Sequence, residues 1–270
     1  MLVSTIKMGI LISPSILGYE SCLEDSLERI REITSAGIYR LHIDVMRKPF
    51  IPSRNAFPEE SISRLYEELR ELADFDFHLM VSVPDPVIEF INKTISDPER
   101  KKQTGITIHR EAYRRGLGKY NSKDYDILGV FTGCPRLDRH LRDANVKTGE
   151  MVCKTLKGIK TLGYAAGLAL EPGTSLDNIT SEMAEIVDMI LLMSVRSGEG
   201  GQRYMREVTE KIREARRRYG GKMIQVDGGV NEETIREVVE AGANNLVIGS
   251  YITKAEDLTG RINKIKTYTM

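Results

Sequence analysis

The chain has 270 residues, 41% hydrophobic and 29% charged, with 39 basic and 39 acidic side chains. That length suits one large domain, and a single α/β barrel needs about 250 residues. The even charge balance excludes a broad electrostatic footprint for nucleic acid or a membrane surface, while leaving room for a local basic pocket.

Residues 1–17 carry one lysine and a broken apolar stretch. They make a poor signal peptide and are too short to span a bilayer, so no membrane segment is expected. A first strand is expected at 10–14. A helix over 23–35 follows, with Leu23, Leu27, Ile30 and Ile33 on one face, and it ends at Ala36-Gly37, where glycine can take a left-handed cap. Next come a strand at 40–44, a helix over 59–72, and strands at 76–81 and 105–109. The rhythm then breaks. Residues 110–147 should hold one loop and one helix, yet they are long, rich in Arg, Lys, Gly and Asp, and carry an apolar island at 127–131. Residues 113–147 therefore read as an insertion, either a lid or a subunit contact, with a solvated loop as the plainer alternative. Strands at 164–170, 189–194, 223–226 and 245–248 complete the chain. Helices are expected over 204–219 and over 231–241, the latter starting at an Asn231 N-cap and stopping at Gly242. Each strand is too short and too apolar for a surface hairpin and reads as buried on both faces of a parallel sheet. Eight strands alternating with helices fit a (β/α)8 TIM barrel, one domain over 1–270, or an open doubly wound sheet.

The polar residues favour the barrel, because barrel sites gather at the C-terminal ends of the strands. In Leu41-His42-Ile43-Asp44-Val45-Met46, side chains two apart share a face, so His42, Asp44 and Met46 point the same way. A histidine and an aspartate pointing together into an interior are costly unless paired or bound to a metal. The third strand ends Phe77-His78-Leu79-Met80, and the seventh ends Val226-Asp227-Gly228-Gly229. Two imidazoles and two carboxylates at three strand ends suit one divalent metal: zinc first, with iron(II), manganese or cobalt as alternatives. A single buried histidine is more often a hydrogen-bonded core residue; the combination is what carries weight.

A second group reads as a phosphate cradle. Gly198-Glu199-Gly200-Gly201-Gln202 follows the sixth strand, Gly228-Gly229 the seventh and Gly249-Ser250 the eighth. Glycines leave backbone N–H groups free to face an anion, and the loops after the last strands are the usual barrel phosphate site. Cys22, Cys134 and Cys153 form no C-x-x-C pair and read as reduced thiols of a cytoplasmic protein.

Pro14-Ser15-Ile16-Leu17, His42 to Met46, Phe50-Ile51-Pro52, His78-Leu79-Met80-Val81 and His109-Arg110-Glu111-Ala112 resemble the ribulose-phosphate 3-epimerase family. So do Gly167-Leu168-Ala169-Leu170 with Pro172-Gly173-Thr174, Met193-Ser194-Val195, Gly198 to Gln202, and Val226 to Gly229. Their order and spacing agree apart from the segment after His109. The resemblance implies that His42, Asp44, His78 and Asp227 ligate one divalent metal, and that Asp44 and Asp227 are the two acid/base groups of an epimerisation at C3 of a ketose phosphate. It also implies substrate contacts from Ser15 and His78, a wall of Met46, Met80 and Met193, phosphate contacts from the three glycine loops, a role in pentose phosphate metabolism, and a homo-oligomer.

Two departures stand out. The family continues Met-Asp-Gly after the second strand, where this chain has Met46-Arg47-Lys48-Pro49. Its phosphate loop carries Pro-Gly-Phe-Gly-Gly, where this chain has Ser197-Gly198-Glu199-Gly200-Gly201 preceded by Arg196. Arg47 and Arg196 suggest a substrate longer than ribulose 5-phosphate or with an added anionic group, such as allulose 6-phosphate; neutral drift is the alternative. Decarboxylases with Asp-x-Lys-x-x-Asp are disfavoured, since Asp44 is followed by Val45 and Met46. A non-catalytic phosphate-sensing barrel remains the third reading, against which stand all four candidate metal ligands.

Overall fold

The computed structural model describes residues 9–113 and 135–269, with backbone alone for 135–145. Eight strands form one parallel sheet: β1 (Leu11–Pro14), β2 (Arg40–Met46), β3 (Asp74–Met80), β4 (Gly105–His109), β5 (Ala165–Leu170), β6 (Met189–Met193), β7 (Met223–Asp227) and β8 (Asn245–Ile248). Their order is β1-β8-β7-β6-β5-β4-β3-β2. A parallel bridge between Ser15 and His42, with the Ile16 N–H donating to the His42 carbonyl at 3.2 Å, brings β1 against β2. The sheet is therefore a nearly closed TIM barrel, and the open-sheet alternative is excluded.

The helices between the strands are α1 (Leu23–Ser35), α2 (Glu59–Leu69), α3 (Asp85–Thr94), α4 (Pro98–Gln103), α5 (Pro135–Thr161), α6 (Ser181–Ile186), α7 (Val208–Arg218) and α8 (Ile235–Glu240). After β8 come α9 (Ser250–Thr253) and α10 (Leu258–Lys266). Along β2, Leu41, Ile43 and Val45 alternate with His42, Asp44 and Met46, and all six are buried. The apolar set belongs to the main core shared with the helices, where each buried aliphatic side chain contributes about 1.5–3 kcal/mol. The other set shares the opposite face, toward the barrel axis, as strand periodicity requires.

That axis is polar, and several of its groups pair across it. The Ser13 hydroxyl donates to Asn245 Oδ1 at 2.8 Å, and the Gln225 amide donates to Asp76 Oδ2 at 2.6 Å. Space there is tight: a Cβ on Gly167 would stand 2.1 Å from Thr107 Oγ1, so only glycine fits beside that threonine.

Helices α3, α4, α6, α9 and α10 are not among the expected elements, and two of the expected helices start later than their sequence pattern suggests. Tertiary anchors are the reason. The Met205 N–H donates to the Ser194 carbonyl at 2.9 Å, tying 204–206 to the end of β6, so α7 begins at Val208 rather than 204. Asn231 caps a turn that leads into the helix rather than the regular helix itself. Its side chain accepts from the Glu233 N–H at 2.8 Å within a turn, and α8 starts only at Ile235. The second boundary of the expected insertion, residue 147, falls inside α5, while the island 127–131 and Cys134 lie outside the described residues. Cys22 and Cys153 are free. Among the described residues no helix is long and apolar enough to cross a membrane.

Candidate metal centre and substrate cavity

Strand register builds the site. On neighbouring β2 and β3, His42 stands beside Asp76, Asp44 beside His78, and Met46 beside Met80. On β6 and β7, Met193 stands beside Asp227. Around the barrel, β2 and β7 are separated by β1 and β8, so Asp44 and Asp227 approach from different walls. One ligand atom from each of His42, Asp44, His78 and Asp227 lies within 4.8 Å of the others. The four residues named from the sequence do converge.

The hydrogen bonds around this cluster orient it. His42 Nδ1 lies 2.9 Å from Asp76 Oδ2; with the proton on Nδ1, His42 Nε2 presents its lone pair to the cluster. That nitrogen is fully buried and has no hydrogen-bond partner, with Asp44 Oδ1 at 3.3 Å and Asp227 Oδ2 at 3.8 Å. A buried, orphaned imidazole nitrogen facing two carboxylates fits a divalent cation, since such atoms are otherwise costly. His78 Nδ1 faces the same oxygens, 3.1 Å from Asp44 and 3.5 Å from Asp227. The Ser15 hydroxyl donates to Asp44 Oδ2 at 2.7 Å, leaving Oδ1 turned to the histidines. Ser194 bonds the Asp227 and Gly228 carbonyls at 2.9 and 2.6 Å, fixing the end of β7.

Electrostatics support the same assignment. Burial alone would raise Asp44, but the positive charge of a protonated His42 and the charge and hydrogen bond of His78 outweigh it and hold the carboxyl far below the ordinary range. Burial alone would lower both histidines, yet Asp44 beside His42, and Asp227 with Asp44 beside His78, raise them. A metal held by such a cluster would compete with protons for the same atoms.

A cavity of about 630 Å³ opens from the cluster, within the size range of small-molecule sites. Asp44, Asp227 and the three methionines Met46, Met80 and Met193 line its inner end, with Ser15 beside them. The outer part is lined by Gly198, Gly200, Gly201 and Gln202, then Gly228, Gly229, Gly249 and Ser250. The three glycine loops thus meet in one place. At Gly229, φ is +66° and a Cβ would stand 2.2 Å from the Tyr204 nitrogen, so the close approach of two loops requires glycine. The Gln202 amide donates to the Arg196 and Glu199 carbonyls at 2.7 and 2.9 Å, closing its loop on itself. His42 and His78 are fully buried behind the cavity wall and do not line it. The structure places His78 in the candidate metal cluster, one buried layer from the residues that line the cavity.

Arg47 departs from expectation. It points away from the cavity and donates to the carbonyls of Met46, Ala56 and Phe57 at 2.8, 2.7 and 3.0 Å, with Glu59 at 3.4 Å. Its charge organises the loop after β2, and the added-anion argument loses one of its two arginines. Arg47→Ala is expected to lower Tm by several degrees and leave substrate KM within about two-fold, as thermal unfolding and steady-state kinetics would show. Arg196 does line the cavity, as do Arg54, Arg203 and Lys254.

Sequence reasoning missed a second layer. His78 Nε2 lies 2.8 Å from His109 Nε2, the rings stacked with centroids 4.9 Å apart. Buried Glu111 and Glu171 lie beyond His109, and burial, reinforced by Glu111 and opposed by His109, raises the Glu171 carboxyl. The Lys211 ammonium, pushed down to about 8 by burial, donates to the Glu171 carbonyl at 2.8 Å. Asp76 and Gln225 were legible by the same period of two that revealed Asp44: each sits two residues before a site residue on its strand.

Comparisons with known proteins agree with this geometry. The model of the ribulose-phosphate 3 epimerase family matches residues 11–117 and 144–253. The ribulose-phosphate 3-epimerase of Bacillus subtilis is 30% identical over 262 residues, covering 94% of this chain and 97% of that protein. The Aquifex aeolicus protein of the same name is 31% identical over 264 residues, covering 95% and 96%. Among solved structures, 3-keto-L-gulonate-6-phosphate decarboxylase from Vibrio cholerae matches with a TM-score of 0.59 at 9% identity over 97% of this chain and 99% of that one. At that identity the likeness speaks for the barrel alone. The matched segments include every member of the His42, Asp44, His78 and Asp227 cluster and all three glycine loops, and the chain belongs to the ribulose-phosphate 3-epimerase family, an epimerase on a TIM barrel.

Proposed function

We propose that the protein interconverts D-ribulose 5-phosphate and D-xylulose 5-phosphate by metal-assisted proton transfer at C3. The observation that carries this reading is the convergence of Asp44 and Asp227, from different walls, on one buried cluster with two histidines. Inversion next to a ketone removes a proton from one face of C3 and returns one to the other. A carboxylate oxygen of one aspartate takes the C3 proton, and the other aspartate, entering protonated, delivers its proton to the opposite face. Between the transfers the substrate is an enediolate. Ser15 holds one oxygen of Asp44 in place throughout. Met46, Met80 and Met193 keep water from the reacting carbons, and the glycine loops hold the phosphate at the far end.

His42, Asp44, His78 and Asp227 would hold the ion, with Asp76 orienting His42. When bound, a divalent ion supplies positive charge beside the ketose oxygens and lowers the cost of negative charge there. Nitrogen and oxygen donors without sulfur suit zinc first, and iron(II), manganese or cobalt next. Assembly as a homo-oligomer and a cytoplasmic location belong to the same reading, supported by the family and by the free thiols of Cys22 and Cys153.

A second substrate reading, a ketose phosphate with a further anionic group such as a second phosphate, is favoured by Arg196, Arg203 and Lys254 on the same cavity. Kinetics on a panel of ketose mono- and bisphosphates separates the two. Chelation should abolish turnover and one equivalent of divalent metal should restore it. Because His42 and His78 hold protons more tightly than usual, metal affinity should fall as pH falls below neutrality. Full activity after complete metal removal would sink the proposal.

A further inference from the structure

The departure Ser197, where the family carries proline, has a structural counterpart. Ser197 opens the phosphate loop 198–202, and both of its local donors reach one carboxylate. Its N–H points to Glu171 Oε2 at 3.4 Å, and its hydroxyl donates to Glu171 Oε1. Proline has neither group. Glu171 is buried at the end of β5, where the Lys211 ammonium also ties its backbone carbonyl. On its inner side, Glu171 Oε1 lies 3.6 Å from His109 Nδ1, with Glu111 Oε2 at 3.3 Å from the same nitrogen. Glu111 is itself held by the Thr174 hydroxyl and by the Glu171 N–H at 3.3 Å. His109 Nε2 then meets His78 Nε2 at 2.8 Å, and His78 Nδ1 faces the metal cluster.

A continuous polar chain therefore runs Ser197, Glu171, Glu111, His109, His78, with the Glu171 N–H donating to Glu111 Oε1, Glu111 Oε2 meeting His109 Nδ1, and the Glu171 carboxylate itself at ion-pair distance from that nitrogen. Its hydrogen-bond sense has one solution when His78 Nδ1 is a ligand. That nitrogen carries no proton, so Nε2–H donates to His109 Nε2, and His109 donates through Nδ1–H to Glu111 Oε2, with the Glu171 carboxylate 3.6 Å away. Each end thus organises what the other needs.

We propose that Glu171 is a positioning residue that couples the metal cluster to the phosphate loop, so that anion binding at 198–202 tightens metal binding and the reverse. This rests on the metal and phosphate roles proposed above. Coupling of this kind is reciprocal and typically about five-fold or more in affinity.

The test is a titration of the metal-free full chain with Mn²⁺, followed by the paramagnetic resonance of the free ion, with and without saturating inorganic phosphate. Wild type should bind Mn²⁺ about five-fold or more tightly with phosphate present. In Glu171→Gln and in Ser197→Pro the enhancement should fall below about two-fold, while Ser197→Thr should restore it. Ser197→Pro alters only a partly exposed loop position, so it stands if the buried variant fails to fold. Wild-type enhancement retained in both variants, or no enhancement in a wild type that binds both Mn²⁺ and phosphate, overturns the coupling alone. A wild type that binds neither overturns the parent reading as well.

Discussion

Asp227→Asn is expected to cut kcat by about a thousand-fold to ten-thousand-fold, the upper range for loss of a positioned acid/base group. The amide keeps the shape and can still accept at Oδ1, but it cannot take up or release the C3 proton. Asp227 is the most exposed of the four cluster residues, with 14% of its side chain accessible, and it reaches the cavity directly. The fold should survive, because β7 is held by its strand pairing and by Ser194 at the Asp227 and Gly228 carbonyls. A specific isotopic signature should accompany the loss. With one base intact, the variant should still exchange the C3 proton of one epimer with heavy water, without forming the other. Metal content must be measured alongside, since Asp227 is also a candidate ligand. A variant with full metal and near-normal kcat would contradict its assignment as a base.

Asp76→Ala is the second large effect, and it acts without touching substrate. Asp76 is fully buried, holds His42 Nδ1 at 2.9 Å and accepts from Gln225 at 2.6 Å. Removing it frees the orientation of His42 and strands two buried polar groups. Metal affinity should fall about 10- to 100-fold, as for other carboxylates behind a histidine ligand. Breaking a buried charged contact should also cost about 3–5 kcal/mol of stability. Asp76→Asn should be milder, because the amide oxygen still accepts from His42. The pH dependence has a definite sign. Burial would raise Asp76, but the hydrogen bond and charge of His42 overcome it and bring the carboxyl down to about 2. A depressed carboxyl contributes stability that is present above its unfolded value near 4 and is lost as pH falls toward 2. Acid unfolding of the metal-free protein should therefore move to higher pH in Asp76→Ala. Unchanged metal affinity in a folded Asp76→Ala protein would remove it from the site.

How much of this is legible in the chain follows from where each residue sits. On a strand the side chains alternate, so spacing alone puts His42 and Asp44 on one face of β2, and His78 and Met80 on one face of β3. Applied more fully, the period of two reaches Asp76 and Gln225, which lie at the same level as His42 and two residues below Asp227. The glycine loops are equally legible, because each follows one of the last three strands within a few residues and the ends of adjacent barrel strands must lie together. Arg47 shows where the reasoning stops. It follows β2 immediately, a position that points to the cavity mouth, yet the carbonyl of Met46 and two carbonyls of the returning loop, at Ala56 and Phe57, capture it. Glu171 shows the converse. It lies just past the end of β5, where no periodicity applies, and its link to Ser197 closes only when two loops 26 residues apart fold together.

The central claim is that Asp44 and Asp227 carry out a two-base inversion at C3, and proton exchange with solvent tests it most directly. The metal-loaded protein should be supplied with D-ribulose 5-phosphate in heavy water and the sugars followed by NMR. The account predicts xylulose 5-phosphate with deuterium at C3 and nowhere else, because the proton delivered comes from the opposite aspartate, which equilibrates with solvent. Product that retains protium at C3, or exchange at C1 without exchange at C3, would contradict it.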